Sequence, residues 1–134
     1  MRLAVGIVAG IVVAFLCVFA VEWIGHDLYP PPEGLDIKDP ADQARLMAAM
    51  PTAAKAMVLA AWFVGALAGA WVANRIAGRS IAGWIVALLV VAGGVATMIM
   101  IPHPVGMWAG GILLPLLAGW IADRAAGRRT GGVA

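Results

Sequence analysis

At 134 residues, 63% apolar and 12% charged, the chain lies far outside the about 45–50% apolar and about 25% charged composition of soluble domains, which excludes an ordinary water-soluble fold. The same hydropathy excludes a disordered segment, because so much apolar surface does not stay in water. Nine basic against seven acidic residues leave +2, which gives no reason to expect nucleic acid as a partner. At about 20 residues per crossing, the length allows four or at most five spans with short connections.

The first apolar run covers residues 3–25 and is interrupted only by Glu22. A signal peptide would have an apolar region of about 7–15 residues. Although Val18-Phe19-Ala20 has the look of a cleavage site, the run is too long for that role and reads as a retained helix. Residues 26–53 form an external polar segment. Pro30-Pro31-Pro32 fix φ and remove backbone donors, so neither helix nor strand continues through them. Asp39 followed by Pro40 is a helix start, a side-chain cap with a preset φ behind it. The short helix it opens places Leu46, Met47 and Met50 on one side, as in an amphipathic helix lying on a membrane surface. Further spans are expected at about 54–74, 81–101 and 107–122, with a tight connection at 75–80 and a turn at Pro102-His103-Pro104.

Charge then separates the two sides. Arg2, Arg75, Arg79, Arg124, Arg128 and Arg129 gather with one acid, Asp123, a balance of +5. The other side holds six acids against Lys38, Arg45 and Lys55, a balance of −3. The basic excess places both termini in the cytoplasm. Trp71, Trp84 and Trp120 fall at the inner interface on this assignment, and Trp23 and Trp108 at the outer one, where indole rings favour headgroup depth. Trp62 falls deeper and is expected to pack against another helix.

Residues 71–80 (WVANRIAGRS) and 120–129 (WIADRAAGRR) match at six of ten positions. Trp71 with Arg75 and Trp120 with Arg124 are therefore expected as recurring inner-interface anchors. Upstream, residues 7–14 (IVAGIVVA) resemble residues 85–92 (IVALLVVA). Spans two and four cross in the same direction, so the expected repeat is parallel: two helical hairpins about an axis along the membrane normal.

Small residues recur at four-residue spacing: Gly6, Gly10, Ala14 and then Cys17 on the first span, and Ala61, Gly65, Gly69 and Ala73 on the second. In lipid such stripes let backbones approach, either within the bundle or between copies of the chain. Cys17 cannot form an intrachain disulfide and no zinc-type cysteine spacing exists.

Glu22, His26 and His103 form the candidate polar site. Glu22 shares a helix face with Ile11, Phe15, Val18 and His26, about 80° from Ala14 at 100° per residue. The pair could share a proton, hold a cation, or simply collar the helix end. Met98, Met100, His103 and Met107 also crowd the outer turn, the chemistry of a soft-metal site or of plain apolar filling. Pro115 inside the fourth span frees the carbonyl of Gly111. No phosphate-binding glycine loop, Ser/His/Asp set or metalloprotease pattern is present.

The segment Gly25-His26-Asp27-Leu28-Tyr29-Pro30-Pro31-Pro32, directly after the first span, resembles an uncharacterised family of small bacterial four-helix membrane proteins. That resemblance implies a bacterial membrane bundle and brings no activity with it. A first-helix carboxylate among four spans is also similar to the small multidrug resistance transporters. Glu22 lies near the outer end, however, and the 25 residues from His26 to Met50 are foreign to that family, so this likeness is set aside.

The expectation is an all-α, four-helix transmembrane bundle of two parallel-repeat hairpins with a short external amphipathic helix. It would sit in a bacterial inner membrane as a non-enzymatic lipid-binding or partner-binding subunit, its partners being membrane lipids and a second copy or another protein. Two alternatives stay open: a proton-linked or cation transporter using Glu22 and His26, and a metal or haem protein using His26 and His103. The sequence itself names no cofactor.

Overall fold

A computed structural model describes residues 1–127. Arg128 and Arg129 of the expected basic side lie outside the described residues. Helices are the only regular elements among the described residues: α1 (Arg2–Leu28), α2 (Pro40–Ala49), α3 (Thr52–Ala77), α4 (Ser80–Met100) and α5 (Val105–Ala125). All but α2 are long and apolar enough to cross a membrane.

α1, α3 and α5 run past the spans expected for them, whereas α4 keeps the expected length and lies one residue earlier. α3 begins at Thr52 and ends at Ala77 rather than at 54 and 74, because Lys55 and Arg75 lie inside the helix, where long basic side chains reach the interface without breaking the backbone. What ends α3 is Gly78, whose φ of +67° closes the helix in the left-handed conformation. Arg79 alone then separates it from α4.

α3 is the centre of the bundle, in contact with α1, α4 and α5. α1 runs antiparallel to it along a seam of small residues. A Cβ at Gly69 would lie 2.5 Å from the Gly10 carbonyl oxygen, and one at Gly65 would lie 2.9 Å from that of Ala14. At Gly6 it would meet the Ala73 carbonyl oxygen at 2.8 Å. The two small-residue stripes therefore face each other, backbone against backbone.

On its other side α3 inserts one large side chain. Trp62 is 5% exposed and lies flat in a slot made by Gly94 of α4 and Gly111 of α5, where an added Cβ would meet the ring at 3.1 and 2.7 Å. Met98 and Ala61 complete this cluster. Pro115, fully buried, lies within an α5 that continues as helix around it.

The hairpins are not arranged as equivalent halves. A twofold relation would bring α1 to α5 as it brings α3 to α4, yet α1 and α5 do not approach each other. Nor does the α1 seam recur on α4, since Trp84 and Leu88 stand where an alignment of the two runs has Gly6 and Gly10. The recurrence survives at the two helix ends. Arg75 stacks over Trp71 at 5.5 Å and Arg124 over Trp120 at 4.3 Å, and Gly78 and Gly127 both have positive φ.

α2 stands apart. Asp39 caps it, its carboxylate accepting the Ala41 N–H at 2.9 Å, with Pro40 opening the helix. The turn before it is tied locally: the Asp42 carboxylate accepts the Asp36 N–H at 3.0 Å, and Gln43 donates to the Ile37 carbonyl at 2.7 Å. Met47 is its one buried residue, and no other helix packs on its backbone.

Candidate functional site

The polar residues singled out near the Pro-rich end do not assemble. Glu22 and His26 lie on exposed turns of α1. His103 is half-buried in the α4–α5 turn, its Nδ1 paired with the Ile101 carbonyl. Among the described residues no three His, Cys, Asp or Glu side chains stand close enough to share a metal ion. The methionines separate as well: Met98 and Met107 are core residues, whereas Met100 is exposed.

The opposite end holds a built polar cavity. α1 begins there, α3 and α5 end there, and α4 starts from it, so four helix termini converge. Between them lies a hollow of about 690 Å³ walled by Arg2, Asn74, Arg75, Arg79, Ser80 and Asp123. Three arginines thus line it against one acid. None of them is in an ion pair among the described residues, where the only such pair is Arg45 with Asp42 on α2.

Asn74 is the pivot of this end. It is 6% exposed, and its Oδ1 accepts the Gly83 N–H at 2.7 Å, tying the first turn of α4 to the last turns of α3. The fit requires glycine, because a Cβ at residue 83 would lie 2.5 Å from Asn74 Nδ2. Nδ2 itself is buried with no hydrogen-bond partner among the described residues. Leaving a donor buried and unpaired costs about 1–3 kcal/mol, an unusual expense in a molecule with so few buried polar groups. The N-cap residue Arg79 makes no side-chain bond to α4, and with the Ala82 and Gly83 N–H groups taken by the Arg79 carbonyl and Asn74 Oδ1, those of Ser80 and Ile81 remain at this end.

Trp71, Arg75, Trp120 and Arg124 all lie at this end, but Arg75 alone of the four lines the cavity. The sequence reading missed Asn74, Arg79, Ser80 and Asp123 as members of one site. Asn74 carried a signal, a carboxamide inside the motif WVANR ahead of an abrupt helix stop at Gly78, but its partner on α4 is a tertiary contact. One turn deeper the surface changes to an apolar groove of about 370 Å³ between α3 and α5, lined by Val64, Leu67, Trp71 and Ile121. No protein-family model, curated protein or solved structure matches this chain.

Proposed function

We propose that the chain is a non-enzymatic subunit of a bacterial inner membrane, both termini cytoplasmic, that recognises a protein partner through the external segment 26–53. The observation that carries this reading is the independence of α2. It is capped and tied by its own side chains, and no other helix packs on its backbone, so its form is set locally, with Met47 as its one buried side chain. Leu28, Tyr29 and Ile37 add exposed apolar groups to the same segment, the composition of a contact surface rather than of a solvated loop. The six arginines of the sequence that collect on the other side support the orientation.

Photocrosslinking in intact cells from residues 37 and 44 tests the proposal. One discrete protein adduct is expected from these positions and not from Val8 on the lipid-facing side of α1. Deletion of residues 30–50 should remove it while the bundle stays in the membrane. Adducts to lipid alone, or the same adducts from residue 8, would sink the reading.

A further inference from the structure

We propose that the arginine-end cavity binds the phosphate group of a phospholipid, with an acyl chain of that lipid lying in the apolar groove between α3 and α5. Four observations converge on it. Arg2, Arg75 and Arg79 supply planar donors suited to phosphate oxygens. The α4 N-terminus adds the Ser80 and Ile81 N–H groups, the two of its first turn that find no acceptor among the described residues, and its dipole favours an anion. Asn74, a cavity-wall residue 6% exposed, holds a buried Nδ2 donor without an acceptor among the described residues and ties the α4 start to this wall.

The fourth observation selects the source of the phosphate. Arg75 lines the cavity and stacks over Trp71, which lines the groove, so this pair joins the wall of one hollow to the wall of the other. A molecule carrying both a phosphate and an apolar chain fills both; free phosphate fills one. Asp123, the single acid on the wall, keeps the site from being an undifferentiated basic patch and gives a hydroxyl or ammonium on the headgroup an acceptor.

The test uses the full chain in nanodiscs, with Arg2→Gln/Arg79→Gln as the cavity variant and Arg124→Gln, which lies outside the cavity, as the control. The readouts are retained lipid by native mass spectrometry and the Asn74 side-chain NH2 signals by NMR. In phosphatidylcholine discs containing phosphatidic acid, the protein should retain the anionic lipid and its Asn74 signals should shift. The cavity variant should bind at least tenfold more weakly, and the control should match the unmodified protein. Inorganic phosphate added to phosphatidylcholine discs should give a weaker shift or none. An equal response to inorganic phosphate would overturn the lipid assignment in favour of a free anion. Unchanged Asn74 signals, or equal losses in the cavity variant and the control, would overturn the site itself. Arg2 and Arg79 are exposed, so both variants should keep the helical content of the parent by circular dichroism.

Discussion

The two sides of α3 solve the same packing problem in opposite ways. Toward α1 it presents Gly65, Gly69 and Ala73, and the helices meet at backbone distance. Toward α4 and α5 it presents Trp62, which reaches into a slot that Gly94 and Gly111 keep open. In lipid no transfer from water favours either contact, so both depend on close fit. The first joint has little that can adjust, because a new side chain would strike main chain at Gly65 and Gly69, and at Gly65 the Val18 side chain first. The second has a removable plug, so damage there leaves a cavity rather than a collision.

That difference orders the effects of substitution. Gly69→Leu should be the most damaging single change, since its Cβ alone would lie 2.5 Å from the Gly10 carbonyl and the helices must separate to admit it. Overpacking of this kind costs about 3 kcal/mol. Reversible unfolding in mixed micelles, titrated with dodecyl sulfate, should register a loss of that size. A loss under 1 kcal/mol would mean that α1 slides along α3 and that the seam is not rigid.

Trp62→Ala should rank second. It removes the plug without pushing any backbone, and only the cavity and lost packing count, so the cost should be about 2 kcal/mol, below the about 3–5 of a water-soluble core. The same titration measures it. If Trp62→Ala proved more damaging than Gly69→Leu, the plug rather than the seam would be the principal joint of the bundle.

The tie at the arginine end sharpens the comparison, because there a polar side chain replaces apolar fit. Asn74→Ala strips the Gly83 N–H of its acceptor and should cost about 1 kcal/mol. Gly83→Ala forces a methyl to within 2.5 Å of the Asn74 amide and should cost about the same or more. Since the amide is what the methyl strikes, the double variant should be less damaging than the two single costs added, by about 1 kcal/mol. Simple additivity in that cycle would show that the amide moves aside at no cost.

These joints were unequally legible in the sequence. The two glycine stripes could be read from four-residue spacing alone, as could the four spans, although reading Lys55 and Arg75 as boundaries shortened α3 by a few residues at each end. α2 was legible from Asp39-Pro40, a purely local signal. The slot for Trp62 was not, because Gly94 and Gly111 matter only through the third helix that fills the space between them. The arginine-end cavity was half legible: charge counting gathers the arginines on one side, but it cannot show that Asn74 is buried among them with a donor unused. Glu22 and His26 drew attention by charge and spacing, and the turns carrying them face outward. Periodicity places a residue on a face without saying what that face meets.

The smallest effect belongs to the element with no helical neighbour. Asp39→Ala removes the cap that accepts the Ala41 N–H, a loss of about 1 kcal/mol for the helix it starts. α2 has no helix packed on its backbone, so the loss should stay local. Hydrogen exchange across residues 40–49 should accelerate about fivefold, while the dodecyl sulfate midpoint of the bundle stays where it was. A shift of that midpoint would show that α2 is mechanically coupled to the spans and braces the bundle. The recognition reading of segment 26–53 would then lose its support, because a helix that stabilises the fold needs no partner to account for its shape.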